Sequence, residues 1–180
     1  IVFFYDLEEP ARSAYEALTR AFEPVFQASR KWRINSRGDV LNRKYHAGAG
    51  QVVSRSVLTT TEHGASFIKP NIPVPSLEGK HLQLYFYPDR VLVFDGQRVG
   101  AIDYSELRLE TAVSRFIEEE GVPHDSRVVD TTWKYVNKKG GPDRRFKNNT
   151  EIPVVEYEKI HFSSASGLNE LFQVSRAGAA

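Results

Sequence analysis

The sequence predicts an α+β fold: a mostly antiparallel, bent sheet, or a small sandwich or partly open barrel, with one amphipathic helix packed on it. Three observations lead there. Short runs rich in Val, Ile, Tyr and Phe recur along the 180 residues, and such runs read as strands. Tight turn signals separate neighbouring runs, which makes them antiparallel. Only one segment carries apolar residues at clear helical spacing.

"IVFFYDL", residues 1–7, is a short strand. In residues 8–30, Ala11, Ala14, Tyr15, Leu18, Ala21, Phe22, Val25 and Phe26 form the apolar stripe of an amphipathic helix. Asp6 and Glu9 have capping-box spacing, and Pro10 suits a first turn. Pro24 removes one backbone bond, so it should kink the last turn or end the helix early. The stripe needs a surface to cover, and a sheet is the natural partner. Residues 30–55 are basic, with "AGAG" as a flexible turn. "QVVSRSVLTTTEHGASFI" reads as one strand, or as two split near Gly64. "KPNIPVPSLEGK" is too rich in proline for a central strand and reads as a connector or edge.

"HLQLYFYPDRVLVFDGQRVGAIDY" is the clearest stretch, an antiparallel meander. Leu82, Leu84 and Phe86 alternate with Gln83, Tyr85 and Tyr87. Pro88-Asp89 suits the centre of a type I turn, and Asp95-Gly96 is a two-residue hairpin signal. "SELRLETAVSRFIEEEG" adds a strand and then an acidic stretch. Residues 131–164 read as strand, long basic hairpin, strand. "SGLNELFQVSR" fits a strand or a helix; we prefer a strand pairing back on "EKIHFSS" through "SASG". The total is about eight short strands and one helix.

Apolar residues make up 41% and charged residues 26%, ordinary for a domain with a real core. Residues 1–180 suit a single domain, with a strand–helix unit at 1–30 and a β-rich body at 31–176. The start without methionine reads as a segment of a longer protein. A net charge of +1 gives no global pull toward nucleic acid or membrane. With no cysteine, disulfides and thiolate metal sites are excluded, and a reducing, cytoplasmic setting is expected. No apolar run reaches the about 20 residues a transmembrane helix needs.

Enzyme signatures are sparse. His46, His63, His81, His124 and His161 show no metal-binding spacing. There is no nucleophile elbow and no phosphate loop. A divalent-metal hydrolase or nuclease would have to use Glu156, Glu158 and the acids near Asp130, although a strand of alternating charge explains "EYEK" as well. We expect no catalytic residues, no metal and no cofactor.

Basic segments are the stronger lead. Residues 131–150 carry a net charge of +5, whereas residues 101–130 carry −5. Within "KKGGPDRRFKNN", the glycines, Pro142 and Asp143 specify a turn, and Asn148-Asn149 return the chain. That leaves Lys138, Lys139, Arg144, Arg145 and Lys147, with Trp133 and Tyr135 nearby, as candidate ligand-binding residues. A second basic patch comprises Lys31, Arg33, Arg37, Arg43 and Lys44. A protein partner is the first reading. Anionic lipid and nucleic acid are alternatives, since basic and aromatic residues together also grip phosphates and stack bases. The acidic stretch could instead neutralise the hairpin, or both could simply be solvated.

Tyr85, Pro88, Asp89 and Arg90, then Asp95-Gly96, then "IDYSEL" at 102–107 resemble the bacterial pleckstrin-homology-like domains. "GGPDRRFKNN" followed by "IPV" resembles a motif of uncharacterised bacterial proteins. The resemblance implies a small sandwich or open barrel used for binding or scaffolding within a larger bacterial protein.

Overall fold

Local turn chemistry builds the first sheet. A computed structural model describes the backbone of residues 1–39 and 51–176, and the side chains of 1–35 and 53–176. Strands β5 (Ser76–Glu78), β6 (Leu82–Phe86), β7 (Val91–Asp95) and β8 (Arg98–Ile102) form an antiparallel four-stranded meander in chain order. Pro88 and Asp89 sit between the paired Phe86 and Val91, with the Tyr87 N–H donating to the Arg90 carbonyl at 3.0 Å. The next hairpin pairs Asp95 with Arg98, so its two-residue loop is Gly96-Gln97, one position later than the Asp95-Gly96 signal. Gly96 takes φ +60°, the positive value that places glycine there.

The larger sheet has six strands. Strand β11 (Glu151–Ser164) is its spine. Strand β9 (Leu107–Ile117) pairs along one edge of it over Val154–Ser164. On the other edge, β10 (Arg127–Trp133) pairs with residues 151–156 and β12 (Asn169–Val174) with residues 158–163, end to end. Strands β2 (Lys31–Asp39) and β3 (Gln51–Val57) extend the sheet beyond β12. The preferred strand at 169–174 is therefore present. Both large sheets are open, so the barrel alternative does not hold among the described residues.

Helix α1 (Ala11–Gln27) buries Tyr15, Phe22 and Val25 against both sheets. The Phe86 ring joins the layers, with centroids 4.6 Å from Phe22 on the helix and 5.6 Å from Phe162 on β11. Leu82, Leu84, Val91, Ile102, Ile160, Phe172 and Val174 complete this core. No capping box forms. Pro10 is the N-cap, and Glu9 accepts the Ser13 hydroxyl at 2.6 Å in place of any Asp6 contact. Pro24 neither ends nor truncates the helix, which runs on to Gln27, because a proline in the last turn forfeits only one bond. The Lys31 ammonium donates to the Phe26 and Ala28 carbonyls at 3.1 and 2.7 Å, satisfying acceptors that a helix end leaves open.

The outer face of the meander has its own cover. Tyr85 and Tyr87 pack against Ala65, Ile68, Val74 and Phe3. The expected N-terminal strand is short: β1 (Val2–Phe3) pairs in parallel with β4 (Lys69–Pro70). Beyond Val57 the chain makes isolated bridges, not a second strand at Gly64. Gly64 has φ +69°, and a Cβ there would lie 2.9 Å from the Tyr87 hydroxyl, so the cover's approach requires glycine.

A third cluster lies on the other face of the six-stranded sheet, where Trp32, Val155, Tyr157 and Phe116 enclose a charged pair. Arg55 on β3 donates through one nitrogen to both carboxylate oxygens of Glu118, at 2.9 Å. Its guanidinium sits 4.1 Å from the Trp32 ring and 4.4 Å from the Phe116 ring. Tyr157 donates its hydroxyl to Glu118 at 2.6 Å, and the Glu120 N–H donates to the same carboxylate at 2.9 Å. Burial, reinforced by that bond to Glu118, raises the Tyr157 pKa.

Asp125 locks the helix exit to the end of β12. Its carboxylate accepts the Ser29 N–H at 2.8 Å, the Ser29 hydroxyl, and the Ser175 hydroxyl at 2.9 Å. Burial pushes its pKa up, but the bonds from Ser29 and Ser175 outweigh that and hold it below the ordinary value. A carboxylate with a depressed folded pKa stabilises the fold above its unfolded pKa, and that stability is lost as pH falls through the folded value. Urea unfolding should therefore show Asp125→Asn destabilised at neutral pH. The gap to the parent chain should close as pH drops below the carboxylate range; a gap constant with pH would contradict this role.

Candidate functional site

The hairpin between β10 and β11 starts from one ladder bond, the Lys134 N–H donating to the Thr150 carbonyl at 2.9 Å. Asn149 then takes the place of a paired backbone. Its amide oxygen accepts the Tyr135 N–H at 2.9 Å, and its NH2 donates to the Tyr135 carbonyl at 2.7 Å. Farther out, the Asn137 side chain accepts the N–H groups of Lys139 and Gly141 at 2.8 and 3.1 Å, an Asx-type closure of the tip. Gly140 there has φ +86°. Asp143 is buried and closes the return. Its carboxylate accepts the Arg145 N–H at 3.2 Å and the Arg145 guanidinium at 2.8 and 3.0 Å. Tyr135 and Phe146 stack face to face, centroids 4.0 Å apart. A segment with its own stacked rings, amide locks and buried carboxylate has a fixed shape.

On this frame the side chains of Lys138, Lys139, Arg144 and Lys147 are exposed, and none makes an ion pair among the described residues. Arg145 is exposed too, but it is engaged by Asp143. Trp133, the last residue of β10, is half-buried opposite Glu151. Tyr135 spends one ring face on Phe146.

The acidic stretch places its bonded carboxylates elsewhere. Glu118 and Glu120 bind Arg55, Asp125 binds Ser29 and Ser175, and Glu110 lies 3.7 Å from His161. Among the described residues no ion pair joins residues 101–130 to Lys138, Lys139, Arg144 or Lys147, so the tip keeps its local positive charge.

The second basic segment is used differently. Lys31 caps the helix, and burial lowers its pKa although Asp125 opposes the shift. Arg33 makes a two-pronged bond to Glu170 at 2.7 and 2.8 Å. Arg43, Lys44 and the Arg37 side chain lie outside the described residues. The residues that a metal hydrolase would need do not gather. Glu156 is bonded to Arg127, Glu158 is buried, and Asp130 accepts the Thr131 N–H at 2.8 Å. Among the described residues no three His, Asp or Glu side chains are placed to share a metal.

Sequence reasoning missed the two framing asparagines. Asn149 was expected only to turn the chain, and Asn137 had no assigned role. Their positions just inside and just outside a Gly-Gly-Pro turn were the available signal. No family model matches the chain, and neither a curated protein nor a solved structure matches it.

Replacing Asn149 with Ala removes both side-chain bonds to the Tyr135 backbone, whose carbonyl keeps the Asp143 N–H at 3.1 Å. Each lost bond should cost about 1 kcal/mol. Limited proteolysis by a Lys/Arg-specific protease should then cleave within 138–147 several times faster than in the parent chain. An unchanged cleavage rate would show that the amide does not hold the loop.

Proposed function

We propose that the chain is a non-catalytic binding module that recognises an acidic protein segment through its basic hairpin. The observation that carries this reading is the pairing of a fixed loop with four exposed, unpaired cations: Lys138, Lys139, Arg144 and Lys147. A preformed loop loses little conformational freedom on binding, so the charge attraction is retained as affinity. The Tyr135–Phe146 stack favours a protein ligand over single-stranded nucleic acid, because those rings serve each other at 4.0 Å and not a base. The likeness of residues 85–107 to bacterial pleckstrin-homology-like domains supports a scaffolding role within a larger bacterial protein, in the cytoplasm. No helix among the described residues is long and apolar enough to cross a membrane.

The test is a triple charge reversal, Lys138→Glu, Arg144→Glu and Lys147→Glu, assayed against three probes by fluorescence anisotropy or co-sedimentation. Poly-glutamate should bind the parent chain and lose at least tenfold in affinity with the variant, while the melting temperature stays put. Binding only to a single-stranded oligonucleotide would replace the protein reading with the nucleic-acid one. Binding only to phosphatidylserine vesicles would replace it with the lipid one.

A further inference from the structure

The geometry points to β9 as an association edge: we propose that two copies of this chain pair antiparallel through β9, joining their six-stranded sheets. One side of β9 is bonded to β11 in unbroken register from Leu107 opposite Ser164 to Ile117 opposite Val154. Its other side has no strand partner among the described residues. An open edge offers a row of unpaired N–H and carbonyl groups, and proteins usually blunt it with shortness, bulges, proline or charged side chains, lysine above all. The other edges among the described residues are shorter or bulged. Strands β5, β8 and β3 have three, five and seven residues, and β10 is bulged between Val128 and Asp130. Strand β9 has eleven residues, no register slip, and none of Pro, Gly or Lys.

Its side chains select the partner. Leu109 and Val113 are 56% and 58% exposed. With Thr111 they share the face on which Ile160 and Phe162 enter the core. When a two-fold axis continues that face into a second copy, a residue must sit on the axis. With Thr111 there, Leu109 meets Val113 of the second copy and Val113 meets Leu109. Thr111 meets Thr111, Glu110 meets Ala112, and Arg108 meets Ser114. Apolar and Thr–Thr pairs of this kind stabilise a sheet, and no like charges are opposed. Moving the axis to Glu110 opposes two carboxylates, and moving it to Ala112 breaks both Leu109–Val113 pairs. With Thr111 on the axis the strand is thus self-complementary, and a net charge of +1 offers little repulsion between copies.

Sedimentation velocity over a concentration series tests this with Thr111→Lys, Thr111→Glu and their equimolar mixture. The parent chain should move from monomer toward dimer as concentration rises. Each variant alone opposes like charges on the axis and should stay monomeric, while the mixture should regain the dimer. A parent chain that is monomeric throughout, or two single variants that dimerise as it does, overturns the proposal. If far-UV circular dichroism shows either variant unfolded, amide hydrogen exchange on the parent chain decides. Protection of residues 108–114 that rises with concentration supports the pairing, and protection independent of concentration overturns it.

Discussion

The buried Arg55–Glu118 pair is the constraint on which the larger sheet depends. It links β3, at one end of that sheet, to the residue that follows β9 at the other, and Trp32 on β2, Phe116 on β9 and Tyr157 on β11 surround it. The side chains are 7% and 0% exposed, so both charges have left water. Such burial is tolerated only when geometry and further hydrogen bonds offset desolvation, and removing one partner typically costs about 3–5 kcal/mol. Here Tyr157 and the Glu120 N–H supply the further bonds, and two aromatic faces flank the cation.

The opposite face of the sheet holds the main core. It carries Ile160, Phe162, Phe172 and Val174 onto Phe22, Val25 and Phe86, where helix and meander pack. Strand β11 runs from this core to the base of the basic hairpin. The hairpin therefore grows from the best-anchored strand of the molecule and carries its own small core of Tyr135, Phe146 and Asp143. Rigidity at the tip is inherited from the sheet and completed by Asn137 and Asn149.

What was legible in the sequence followed from local chemistry. The meander was readable because Pro88-Asp89 and Gly96 act on their nearest neighbours, and α1 because its stripe repeats over several turns. The turn of the hairpin was readable for the same reason. Strand β2 was not, because Lys31 and Arg33 look like solvated charges beside Trp32; their partners are helix carbonyls and Glu170, the latter 137 positions away. The Arg55–Glu118 pair spans 63 positions and was equally hidden. Whether the acidic stretch neutralised the hairpin was open in the sequence, since composition does not say where a carboxylate points. The three-dimensional arrangement sends Glu118 and Asp125 to other partners and leaves the tip charged.

The basic hairpin is held in one shape by its own contacts. Backbone 15N relaxation on the free protein measures this directly. Residues 134–149 should show order parameters near those of β10 and β11, about 0.85, the range of a rigid backbone. Values below about 0.6 across the tip would show a flexible loop that acquires its shape only on binding, and would contradict the account.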